Sequence, residues 1–158
     1  MVHQAYLFAE DTIDCQAAKT FAALATVALR TLERMPQPIG QVCGPISTGG
    51  KGSIKANLVT FAEAIEWLQG QGRNIFNQMP FEEHIFRIID GGYNTQVNNQ
   101  LLEEFYLPIF ASNLVTTFYF IPGWESSHGA TWEHEQIQKH GYAIEYLQQL
   151  GFPEQKTL

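Results

Sequence analysis

Residues 114–121, LVTTFYFI, are β-branched or aromatic at nearly every position and carry no charge. A run of this length and composition suits a central strand covered on both faces, which in turn requires helices on each side of a sheet. Two further short apolar runs end at turn residues: IGQVCGPIS closes on Gly44-Pro45, and RNIFNQMP ends at Pro80. YAIEYL, after Gly141, supplies a fourth. Between these runs the apolar residues recur at helical spacing, with Ala17, Phe21, Leu24, Ala25, Ala28 and Leu32 predicting one long helix from Asp14 to about Met35. The proline-rich MPQP ends it. Asn57, Phe61, Ala64, Ile65 and Leu68 predict a second helix, and residues 81–112 read as helical on either side of Gly91-Gly92. A last helix is expected from about Ala130 to His140.

Strands alternating with helices imply a mainly parallel sheet between helical layers, in an α/β fold with an added N-terminal helix. At 158 residues the chain is expected to form a single domain, with residues 1–38 as a helical extension and 39–158 as the core. The net charge of -7 opposes binding to nucleic acid or to an anionic membrane. No apolar run reaches the length of a membrane helix, and MVHQAYLFAEDTIDC is acidic where a signal peptide would be basic and then apolar. Cys15 and Cys43 form no CxxC pair and read as free thiols. Together these features predict a cytoplasmic location.

In a parallel sheet the site lies beyond the carboxyl ends of the strands, where GPISTGG and PGWESSHG both fall. Glu133 follows in the next helix, on the stripe shared by Ala130 and Ile137. An acid on an inward stripe must be paired or hydrogen-bonded, and the helix N-terminus is expected to help keep it ionised. Either a nucleophile or a structural glutamate satisfies that position. Ser126 and Ser127 suit N-cap positions, and the same amides and hydroxyls suit an anion. Trp124, in the turn, is placed either to pack at the rim or to cover a flat base. His128, His134 and His140 are six residues apart and do not share a helix face, so no metal is expected. No cofactor is expected either: GPISTGGKGS lacks the P-loop pattern, because Gly52 follows Lys51.

Taken in order, GPIS, Asn57 with Phe61 and Ala64, IFNQMP and FIPGWESSHGATWEHE resemble the nucleoside 2-deoxyribosyltransferase-like superfamily, most of all its small bacterial and phage branch with a PGWxxSxGAxxE signature. The resemblance covers about residues 39–146. It implies a flavodoxin-like three-layer α/β/α sandwich and cleavage or exchange of an N-glycosidic bond, with Glu133 as nucleophile. Ser127 stands where the 5'-monophosphate hydrolases of the superfamily carry Ser, which implies a phosphorylated ligand. Gly44, Pro45, Ser47, Gly123, Trp124, Ser126, Ser127 and Gly129 are then the expected contacts. The resemblance also implies a nucleoside or nucleotide as the small-molecule partner, and a homodimer or higher homo-oligomer. Three positions depart from the superfamily pattern. Gln41 replaces a strand Tyr, Asn113 replaces an Asp, and the acid that assists the leaving base falls at Phe105, so that the nearest carboxylate is Glu104. Without turnover, the same features describe a nucleotide-binding module on this fold, or an interaction protein in which the PGWESSHG turn is structural.

Overall fold

A computed structural model describes residues 6–91 and 100–153 of the chain. Three strands form a parallel sheet in the order β1 (Ile39–Cys43), β2 (Val115–Phe120), β3 (Ala143–Tyr146). A single bridge between Gly40 and Ile75 adds the fourth segment on the free side of β1. All four stretches read as strands therefore lie side by side and parallel. RNIFNQMP contributes only that bridge, because the chain turns into the next helix within three residues of Phe76.

Side chains alternate across β1 and β2 and divide the core in two. Val42, Tyr119 and Ile121 meet Phe61, Ile65 and Leu68 of α3 (Ile54–Gly70) on one face. Ile39, Cys43, Phe118 and Phe120 meet the remaining helices on the other: α2 (Phe21–Arg34), α4 (Met79–Asp90), α5 (Leu107–Ala111) and α6 (His128–His140). The result is a mixed α/β fold with helices on both sides of the sheet, consistent with a flavodoxin-like α/β/α sandwich. Among the described residues no helix is long and apolar enough to cross a membrane.

The helix expected from Asp14 to Met35 is two helices, α1 (Ala9–Ala17) and α2. Ala18 is extended, and the Thr20 hydroxyl accepts from the Ala23 amide to start α2 afresh, a cap that apolar spacing alone does not reveal. Asp11 of α1, with no exposed surface, accepts hydrogen bonds from Arg30 and Arg34 and joins the pair. Residues of α2 share the core of α4 and α5, so the N-terminal segment is integral to that side of the sandwich.

The stretch before β2 contains a π-helical turn, Leu102–Tyr106, immediately followed by α5 with Pro108 in its first turn. Proline has no amide hydrogen to donate and its ring crowds the carbonyl four residues earlier, which favours a locally wider turn. Leu102, Phe105 and Tyr106 all point inward there. Residues 92–99 lie outside the described residues, so the expected Gly91-Gly92 turn is described only to Gly91.

Candidate functional site

The loop after β1 and the turn after β2 meet at the carboxyl edge of the sheet. Gly50 donates its amide to the Ser126 hydroxyl at 2.8 Å, and the His128 amide donates to the Thr48 hydroxyl at 3.2 Å. Lys51 donates its amide to the Asn57 side chain, which in turn donates to the carbonyls of Ile46 and Gly49, so the start of α3 also holds the loop. Gly50 has φ +63°, and a Cβ there would lie 2.5 Å from the Asn57 oxygen. Only glycine fits this close approach in that conformation.

Ser127 caps α6, its hydroxyl accepting from the Ala130 amide at 3.2 Å. Ser126 is not a cap. Its hydroxyl donates to the Gly123 carbonyl and accepts from Gly50, tying the turn to the loop. Capping by Ser127 starts α6 at His128 rather than Ala130 and sets its inward stripe as Ala130, Glu133 and Ile137.

Glu133 is 7% exposed and lines a cavity of about 90 Å³ with Gly44, Ser47, Ser127 and Gly129. Burial pushes its pKa up to about 8, against a lowering hydrogen bond from the Cys43 thiol and with a further rise from nearby Glu82. The sequence expectation of an ionised Glu133 is thereby corrected. The residue lies in the second turn of α6, past the reach of the helix N-terminus, and desolvation wins.

Sequence reasoning missed the opposite wall. Glu82 of α4 is 5% exposed in the same cavity, and burial raises its pKa to about 7 despite lowering hydrogen bonds from Gln78 and Tyr106. The Gln78 amide donates to Glu82 Oε1 at 3.2 Å, and the Tyr106 hydroxyl donates to the same oxygen at 3.4 Å. Gln41 of β1 donates to the Gln78 carbonyl at 3.3 Å, while its own buried Oε1 has no partner. No cation among the described residues pairs with either glutamate. Two buried carboxyl groups thus face one cavity, each charge disfavouring the other. Tyr106, also in the cavity wall, reaches the carboxyl group of Glu82 from the π turn.

Residues 41–146, more than half of the chain, match the domain of unknown function DUF4406. The chain belongs to the DUF4406 family. No curated protein and no solved structure matches it.

In this DUF4406 chain the expected contacts divide among three depressions at the sheet edge. Gly44, Ser47, Ser127 and Gly129 join Glu133. Pro45, Gly123 and Ser126 line a second depression of about 210 Å³ with Lys51 and Asn57. Trp124 faces a third, with Phe120 and Tyr146, and one of its ring faces is covered by His134. Glu104 is half-buried on the π turn and is not among the residues lining the Glu133 cavity. A sequence signal for Glu82 existed: it shares the inward stripe of α4 with Ile85, the same argument that singled out Glu133.

Proposed function

We propose that the DUF4406 chain cleaves or transfers the N-glycosidic bond of a nucleotide-type ligand, with Glu133 as nucleophile. The observation that carries this reading is the placement of Glu133: buried on α6, it lines one cavity with Gly44 and Ser47 of the β1 loop and with Ser127 at the helix start. A carboxylate in such a cavity stabilises the positive charge that develops on the sugar and forms a glycosyl ester with it. The superfamily resemblance assigns the same role to the same residue. Ser127, which lines the cavity beside Gly129 at the start of α6, favours a 5'-monophosphate over the free nucleoside.

Incubation with the four deoxynucleoside 5'-monophosphates, followed by chromatography for free base, tests the reading. Base release by the wild type that Glu133→Gln abolishes supports it, and absence of release from the whole panel counts against it. A second reading, binding of a nucleotide without turnover, draws on the raised pKa of Glu133, which leaves a neutral and poorly nucleophilic acid in the cavity. Binding by calorimetry with no free base favours that alternative.

A further inference from the structure

Cleavage of an N-glycoside needs a proton for the departing base as well as a nucleophile. The carboxylate nearest in sequence to the expected position, Glu104, does not line the cavity. Among the described residues the remaining titratable groups of the wall are Glu82 on α4 and Tyr106 on the π turn, with Cys43 at the end of β1 behind Glu133. Burial pushes the Cys43 thiol and the Tyr106 phenol far up, so both are weak acids beside a carboxyl group.

We propose that Glu82 is the proton donor to the departing base, positioned for this by Gln78 and Tyr106; the inference rests on the glycoside-cleaving reading above. Both hydrogen bonds from these residues converge on Oε1 of Glu82. They leave Oε2 to carry the proton of the neutral acid, at a side chain that opens on the cavity. The two glutamates come from different helices on the same side of the sheet. Their mutual repulsion favours a state with one proton on the pair.

Glu133, the less acidic of the two, holds that proton at rest, and the reaction requires its transfer to Glu82 as the ligand binds. The Glu133 carboxylate then forms a bond to the anomeric carbon while the carbon–nitrogen bond breaks. Its electron pair passes to the base nitrogen, which takes the proton from Glu82. Glu82, now a carboxylate, removes a proton from water as the water oxygen attacks the anomeric carbon of the glycosyl ester. The ester bond breaks, its electron pair returns to Glu133, and Glu82 is again protonated. One water is consumed for one base and one sugar released.

The test compares deoxyguanosine 5'-monophosphate with its N7-methyl derivative, whose cationic base departs as a neutral molecule and needs no proton. Glu82→Gln is expected to slow the first-turnover release of base from the unmodified substrate by about 10²–10⁴-fold, the contribution of a positioned general acid. On the methylated substrate the first-turnover release by the same variant is expected to stay close to wild type, which also shows that it folds, while its later turnovers slow because the water still needs Glu82 as base. Glu133→Gln is expected to lose both activities. Tyr106→Phe removes a hydrogen bond that lowers the Glu82 pKa, so the alkaline limb of kcat/KM should move to higher pH; a purely structural tyrosine leaves the limb in place. Equal loss of first-turnover release on both substrates in Glu82→Gln, or no loss on either, overturns the role of Glu82 while leaving Glu133 standing. No base release by the wild type from either substrate overturns both.

Discussion

Trp124 lies flat against His134, with ring centroids 4.3 Å apart and planes 12° from parallel. The imidazole is also 2.7 Å from the Tyr146 hydroxyl. Burial lowers the His134 pKa, outweighing the opposite pull of Glu125 and Glu135. The folded protein therefore holds fewer protons here than the unfolded chain, and this group's share of stability is lost as pH falls below the ordinary histidine value of about 6.5. Proton resonance titration should place His134 below that value, and Trp124→Ala should move it back up as water reaches the ring. The same variant should cost about 1–3 kcal/mol for the lost packing and stacking. A wild-type His134 titrating at or above the ordinary value would contradict this.

The buried Asp11 acts in the same direction at lower pH. Burial alone would raise its pKa, but hydrogen bonds from Arg34, the Phe8 amide and Arg30 hold it at about 2. Its stabilisation is complete above the unfolded value of 3.8 and disappears as pH falls through about 2. Asp11→Asn should cost about 2–3 kcal/mol at neutral pH, toward the lower end for a broken buried pair because both arginines are partly exposed. Urea unfolding at pH 7 and pH 2 checks this: the difference between wild type and variant should shrink sharply at the lower pH.

For Glu82 and Glu133 the sign reverses. Their folded pKa values lie above the model carboxylate value of 4.5, near 7 and 8, so the folded state binds more protons than the unfolded one across that interval. Stability should fall as pH rises from about 4.5 to 8. Glu133→Gln, which stays neutral at every pH, should match wild type near pH 5 and exceed it at pH 8.5. A wild-type melting temperature that is flat or rising over this range, once other groups are allowed for by the double Gln variant, would refute the buried pair.

Ser127 and Ser53 cap α6 and α3 in the same way, each accepting an amide hydrogen bond of 3.2 Å, but only Ser127 lines the cavity. Either Ala substitution should cost about 1 kcal/mol of stability. Only Ser127→Ala should erase the preference for a 5'-monophosphate over its nucleoside, by roughly 1.5–3 kcal/mol for a lost hydrogen bond to a charged group. Calorimetry with both ligands on both variants reads this directly. Equal affinities in the wild type would remove the phosphate site.

The parts legible in the sequence are those where one periodicity holds over a whole element. LVTTFYFI is β2 because its apolar residues have to cover two faces, and Glu133 stands out because α6 keeps regular spacing through it. The break between α1 and α2 is invisible to spacing, since Ala17 and Phe21 stay four apart across it. Tyr106 is hidden for a related reason: in the π turn 3.6-residue counting no longer tells which side chains face inward. Glu82 is open to detection by its place on the α4 stripe, although the acid beside it, Glu83, is exposed.

The π turn between Leu101 and Leu107 also makes segment length matter independently of amino-acid identity. Each residue of a regular helix advances by about 100°. The π turn takes up one residue more than a regular turn would. Removing Glu103 would let the segment close as an ordinary helix and rotate everything before the deletion by that angle relative to α5, or else carry Tyr106 off the cavity wall. A relative identical in every other position but one residue shorter here would keep both carboxyl groups and lose the wall geometry that brings the phenol to Glu82. Descent by insertion or deletion, more than by substitution, is then the event that switches this contact on or off.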